Sequence, residues 1–316
     1  MDKRATLADV ARIAGLSPAA ASLILNNKPG ARLSEDSKRR VLVAAEALGY
    51  RPNVAARGLV TSKTNSIALI TDHVATTRFG SGIVKGALGA ADELDHVVFL
   101  LETDGDRKRT QEAVAAVLDR QVDGIIFSTV RAREMEVPPT PPDVEVVMLN
   151  SSNKNHRVSI LPDEYEGGKA AVELLASSGI TKGIVLLGQN EAVEKDENRS
   201  ITIGERLRGI RAGLSDLGES FLASIETNLW EPEDGFEATR TFISQMGRDQ
   251  VEAIICLNDR LAFGAYQALA ELGAKIPEDI SIISFDNDEV AAYLRPGLTT
   301  VGIPYEEMGA EAVRRV

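Results

Sequence analysis

A chain of 316 residues with 44% hydrophobic residues is too long for one ordinary core and has the apolar material for two or three domains. Its single cysteine, Cys256, excludes an internal disulfide framework, and no apolar run approaches the roughly 18 residues of a membrane span. The net charge of -12 argues against a polyanionic partner for the whole chain, but its distribution reverses that reading: residues 1–65 carry 11 Lys/Arg against 5 Asp/Glu, and the remainder 24 against 42. A small basic module is joined to a large acidic body, so only one end suits nucleic acid.

The N-terminus, MDKRATLADVARIAG, lacks the apolar stretch of a signal peptide, so the cytoplasm is the expected location. The first 50 residues read as three short helices. Thr6 suits an N-cap with Asp9 three residues on, and Gly15 supplies a left-handed turn. Ser17-Pro18 opens a second helix, PAAASLILN, that ends near Asn26-Asn27. Ser34 caps a third, which Gly49 stops. Leu7, Val10, Ala14, Leu16, Ala21, Ile24, Leu25, Val41, Ala44, Ala45 and Leu48 form one candidate core. Helix, glycine turn, helix is the pattern of a DNA-binding helix-turn-helix. Residues 51–65 read as a hinge and linker: Pro52 discourages the preceding helix from continuing, and Asn53 can cap a short helix through Leu59.

From Ile67 the pattern changes. The apolar runs IALIT, VVFLLE, GIIFST, VVMLN, VSIL, GIVLLG, AIICLN, ISIISFD and LTTVGI alternate with amphipathic helical stretches. Such runs imply parallel strands covered on both faces. The expected fold is a small all-α domain followed by an α/β core, residues 66–316, of two doubly wound parallel-sheet lobes. The expected lobes are 66–161 with 288–316, and 162–287. PPTPP at 138–142 is a stiff surface loop. Gly80-Ser-Gly82 with Gly86 mimics a dinucleotide fingerprint, but a long loop separates it from the first strand, unlike the real motif. No Walker loop, HExxH or GxSxG occurs, and His73, His96 and His156 lack metal-ligand spacing. We therefore expect no metal, no cofactor and no enzymatic activity.

The order TLADVARIAGLSPAAASLILN, RVLVAAEALGYRPN, VDGIIFS, DEYEGGKAAVELL, ERLRGIRAGL, CLNDRLAFGAYQALAELG, ISIISFD and PGLTTVGIPYEEMG resembles the lac-repressor (LacI/GalR-type) family of bacterial regulators over nearly the whole chain. The resemblance implies a dimeric or tetrameric regulator, here expected to be a homodimeric repressor of a near-palindromic DNA operator. It also implies a core of periplasmic-binding-protein type, with a sugar-like effector between the lobes. The family pattern continues some 20 residues beyond Val316, so the resemblance leads us to expect no tetramerising tail.

By resemblance Ser17, Ser22 and Asn26 contact phosphates, and Pro18 and Ala19 stand where relatives place base-reading polar groups. Asn53 and Arg57 lie in the hinge. Leu59 either anchors the linker to the core or is the wedge that kinks the operator centre. In the core, Asn258 and Asp286 close strands; each is either a helix cap or a ligand contact. Arg206 is either a surface arginine or, by resemblance, faces ligand. Trp230, the only tryptophan, is either core or a stacking surface for a sugar; Phe79 offers a weaker version of the same argument. Asp163 stands at the lobe crossover, where relatives commonly have Asp-Asn and this chain has Asp163-Glu164. The alternatives are control by a purine or a phosphorylated partner protein, or an enzyme on the doubly wound lobes.

Overall fold

The computed structural model describes residues 5–26, 33–51, 63–74, 77, 80–156, 158–190 and 200–316. The chain divides into two compact units, Met1–Thr64 and Asn65–Val316. No single helix among the described residues is long and apolar enough to cross a membrane.

The first unit holds α1 (Leu7–Ala14), α2 (Pro18–Leu25) and α3 (Glu35–Ala47). Local chemistry sets each boundary. Thr6 and Asp9 form a reciprocal capping box, with Thr6 Oγ1 accepting from Asp9 N at 3.3 Å and Asp9 Oδ2 accepting from Thr6 N at 3.1 Å. Gly15 takes the left-handed conformation, φ 66°, that ends α1. Ser17 Oγ then accepts from Ala20 N at 3.1 Å, and Pro18 at the first position of α2 forgoes no needed N–H. α1 and α2 meet at 102°, within the range of a helix-turn-helix. Val10, Ala11, Ala14, Ala21, Val41, Ala44 and Ala45 are buried between the three helices, closed at the rim by Leu7, Leu16, Ile24, Leu25, Leu48 and Tyr50.

The second unit has two parallel sheets. β1 (Ser66–Thr71), β2 (Val97–Glu102), β3 (Gly124–Glu134), β4 (Glu145–Ser152) and β5 (Ser159–Ile160) lie in the order β2-β1-β3-β4-β5. β6 (Ile184–Gln189), β7 (Ala223–Glu226), β8 (Ala253–Cys256), β9 (Ser281–Asp286) and β10 (Thr299–Gly302) repeat the same winding as β7-β6-β8-β9-β10. The central strands are buried throughout, which is why they read as unbroken apolar runs. In the first lobe these strands pack against α4 (Gly80–Glu93) and α5 (Arg107–Leu118). In the second they pack against α6 (Glu164–Ser177), α7 (Ile203–Asp216), α8 (Pro232–Met246) and α9 (Asp259–Glu271). The short α10 (Glu289–Tyr293) links β9 to β10.

Two expectations need correction. The return to the first lobe was expected at residue 288, but β10 pairs in parallel with β9, Val301 opposite Phe285, and so completes the second sheet. Only α11 (Tyr305–Arg315) goes back, burying Met308, Ala312 and Val313 in the first lobe. It docks on α4 where Gly86 has no side chain: a Cβ there would stand 1.8 Å from the carbonyl oxygen of Glu306. The glycine that resembles part of a nucleotide motif is thus a helix-packing device. The second correction is β7, absent from the expected strands. ASIE is a four-residue edge strand with alternating exposure, too short to register as an apolar run.

Candidate functional site

In the first unit, α2 presents Ser17, Pro18, Ala19 and Asn26 to solvent, with Leu23 at 39% exposure and Ser22 half-buried. Its polar groups are partly engaged: Asn26 Nδ2 donates to the carbonyl of Ser22 at 2.8 Å and to its hydroxyl at 3.2 Å. The helix carries no charged side chain, so its open face offers methyl groups, a pyrrolidine ring and few hydrogen bonds. Asn53, Arg57 and Leu59 lie outside the described residues.

In the second unit a cleft of about 730 Å³ lies between the two lobes, lined from the first by Val130, Ala132 and Asn150 and from the second by Glu164, Arg206, Trp230, Asn258 and Asp286. Carboxyl ends of parallel strands are where doubly wound sheets hold ligands, because the crossover loops diverge there. Arg206 forms the floor. It lies one turn into α7, and α7 touches α6 backbone to backbone: a Cβ on Gly209 would stand 2.0 Å from the carbonyl oxygen of Tyr165. That approach brings Glu164, the first residue of α6, onto the guanidinium. Nε and Nη2 of Arg206 donate to the two Glu164 carboxylate oxygens, both at 2.6 Å, and Nη1 donates to the carbonyl of Leu257. Both side chains are almost fully buried. The guanidinium also lies 4.4 Å over the Phe285 ring.

Asp286 ends β9 with φ 107°, a conformation that L side chains rarely adopt. Its carboxylate is 3.8 Å from Arg206 Nη2. Burial pushes its carboxyl up to about 8; the nearby arginine opposes this, and Asp259, Glu164 and Asp288 add to it. Asp259 pins the same turn by accepting from Asp288 N at 2.7 Å and from the Ser284 hydroxyl. Asn258 takes the cap role and also braces the cleft wall. Its Oδ1 caps α9 by accepting from Leu261 N at 2.8 Å, and its Nδ2 donates to the carbonyl of Trp230 at 3.2 Å. Trp230 donates its indole N–H to the carbonyl of Gly188 at 2.8 Å, which fixes a half-buried ring in the cleft wall.

Four sequence-predicted residues, Arg206, Trp230, Asn258 and Asp286, therefore line one cleft. Asp163 does not. It is an exposed N-cap that accepts from Glu166 N at 3.1 Å, and the helix start directs its neighbour Glu164 inward instead. Phe79 lies outside the described residues. Sequence reasoning missed Glu164, Asn150 and Tyr305. A charged residue beside a strand-to-helix crossover was the available signal for Glu164; for Asn150, the signal was its place in the apolar run VVMLN. It also missed that His73, Glu102 and Asp104 bring ligand atoms within 4.8 Å of one another at the ends of β1 and β2, because that grouping comes from strand pairing rather than spacing. Asp104 is held there by Arg109.

Residues 6–53 match the family model of bacterial regulatory proteins of the lacI family, and residues 172–316 that of a periplasmic binding protein-like domain. The chain is 31% identical over 325 residues to the HTH-type transcriptional regulator DegA of Bacillus subtilis (strain 168), covering 98% of this chain and 90% of DegA. The chain belongs to the lacI family of bacterial regulatory proteins. Other lacI-family relatives agree along the whole length. The ribose operon repressor of Escherichia coli (strain K12) is 29% identical over 98% of this chain and 91% of its own. The structure of the lac repressor dimer bound to operator and the anti-inducer ONPF matches with a TM-score of 0.74 at 25% identity, over 99% of this chain and 92% of that one. This lacI-family protein is a DNA-binding transcription regulator.

Proposed function

We propose that this regulator is a repressor that binds a near-palindromic operator as a homodimer and is switched by a small sugar-like effector in the interlobe cleft. Its place of work is the cytoplasm, and its role is binding rather than catalysis. The observation that carries the reading is the cleft itself. A carboxylate, an amide and an indole face stand around a buried guanidinium in the same chain as a basic helix-turn-helix. Carboxylates and amides pair with hydroxyls, and an indole packs on the apolar face of a sugar ring. A single small DNA module binds weakly, and two copies on one dimer gain effective concentration. The lac repressor structure is a dimer on its operator, which supports carrying that arrangement over.

In this reading Ser17, Ser22 and Asn26 position α2 on phosphates, while Pro18 and Ala19 meet base edges through apolar contact. Asn53 and Arg57 add backbone contacts, and Leu59 enters the minor groove. Selection of genomic fragments by the full-length protein, with and without a panel of sugars, tests it. Inverted repeats should be enriched, and one sugar should change their recovery. Fragments holding a single half-site, bound with no dependence on salt, would overturn the dimeric reading.

A further inference from the structure

The cleft has an unusual balance of hydrogen-bonding groups. Several of its nitrogen donors are given to the protein rather than left for a ligand. Arg206 directs Nε and Nη2 at Glu164 and Nη1 at Leu257. Trp230 gives its only N–H to Gly188. Asn150 gives its Nδ2 to the carbonyls of Thr129 and Val130, both at 2.9 Å, which leaves its amide oxygen as the remaining group. Among these groups a ligand is left with acceptors, the carboxylates of Glu164 and Asp286 and the oxygen of Asn150, while the hydroxyls of Thr202 and Tyr305 in the same lining can donate or accept.

The charge balance agrees. Arg206 is the one cation of the floor, and Glu164 offsets it through two parallel hydrogen bonds, the geometry in which a guanidinium would otherwise grip a carboxylate or phosphate. With Asp286 beside the pair, the floor carries no net positive charge in either protonation state of that group. Of the other cations on the wall, Arg260 is paired with Glu231, and Arg131 is exposed, where water screens it.

We infer that the cleft takes a hydrogen-bond-donating effector, a neutral polyol or an amino sugar, and that Glu164 excludes the matching sugar acids and sugar phosphates by occupying Arg206. This rests on the proposed reading of the cleft as the effector site and narrows the class of ligand. An anion entering the floor meets two carboxyl groups and a guanidinium whose Nε–Nη2 edge is already filled. Replacing Glu164 by glutamine removes the charge, retains the shape, and leaves Arg206 with Asp286 as its remaining acidic neighbour and better able to hold an anion.

The test uses the full-length protein and matched probes: glucose with glucosamine, glucuronate and glucose 6-phosphate, and the corresponding galactose and ribose sets. Each is titrated by calorimetry and by thermal shift against the wild type, Glu164→Gln and Glu164→Asp, with near-UV circular dichroism confirming a native fold. In the wild type a neutral or amino member should bind and its acidic counterparts should not. Glu164→Gln should shift the ratio of acid to neutral affinity by about ten- to hundredfold toward the acid. Glu164→Asp retains the charge and should keep rejecting acids, so it carries the test with the wild type if the glutamine variant does not fold. An acid binding the wild type as tightly as its neutral partner would overturn the inference. So would an unchanged ratio in a folded Glu164→Gln. Silence of all three proteins toward every probe would instead overturn the sugar reading of the cleft, and this inference with it.

Discussion

Asn258 holds the backbone of Trp230: its amide nitrogen donates to the Trp230 carbonyl at 3.2 Å while its oxygen caps α9 at Leu261. One side chain thus fixes both the helix that follows β8 and the aromatic wall of the cleft. The two roles separate by mutation. Asn258→Asp keeps the capping oxygen but loses the donor to Trp230. Its stability should be near wild type, and its effector affinity should fall. Asn258→Ala loses both, with a stability cost of about 0.5–2 kcal/mol from the cap. Thermal unfolding of the free protein and titration with the effector measure the two losses separately. Equal affinity in the wild type and Asn258→Asp would show that the Trp230 tether has no part in binding.

Asp286 gives a pH signature. Its carboxyl is pushed up to about 8 by burial, whereas an unfolded aspartate titrates near 3.8. Between those values the unfolded chain has released a proton that the folded chain keeps. This group's contribution to stability therefore declines as pH rises through that window and levels off above pH 8. Asp286→Asn cannot ionise. Its melting temperature relative to wild type should rise from pH 5 to pH 8, by about 2–4 °C for each kcal/mol relieved. Parallel melting curves across that range would show that the wild-type group is ionised throughout.

The contact between α6 and α7 tolerates no side chain. Gly209→Ala places a methyl group where 2.0 Å separates the ideal Cβ from the carbonyl oxygen of Tyr165. The helices must part, at a cost of about 1–3 kcal/mol, and Glu164 moves off Arg206 as they do. The expected result is a lower melting temperature together with altered ligand selectivity in the direction of Glu164→Gln. A destabilised variant with wild-type selectivity would separate helix packing from the control of Arg206.

The face of α2 makes a prediction about DNA. Apolar contact at Pro18 and Ala19 discriminates less than a bidentate side-chain pair, worth roughly 1–3 kcal/mol. Selectivity then falls more on operator shape and on a kink at the centre. Changing the central base step should weaken binding more than changing an outer half-site base, and Leu59→Ala should weaken it more than Ala19→Gly. Affinities for a complete series of single-base operator variants decide the point; dominance of the outer positions would reject shape reading.

What was legible in the sequence follows from the range of the interactions involved. Helix starts at Thr6, Ser17 and Ser34 were readable because each cap acts within three residues. Central strands were readable because burial on both faces demands unbroken apolar runs. The lobe assignment of LTTVG was not, since it depends on pairing with β9, which no local pattern encodes. Arg206 and Asp286 were reached through resemblance, but the bond from Glu164 to Arg206 spans 42 positions. Nothing in DEYEGG says which of its acidic residues turns inward; that is settled only when Asp163 takes the cap.

Among the described residues the chain passes between the lobes twice, once from β5 into α6 and once from β10 into α11. Neither passage lies within a sheet ladder, so the two are paired pins between intact sheets, and Ile201 N, donating to the carbonyl of Ala132 at 2.9 Å, adds a further tie across the lobes. Pro162 on one pin and Ile303 and Tyr305 on the other also border the cleft. In the proposed reading, a small molecule held there would meet both pins directly rather than act on them from a distance. In that reading an occupant that differs by one hydroxyl would meet the two pins differently, and a change in the angle between the lobes would begin there.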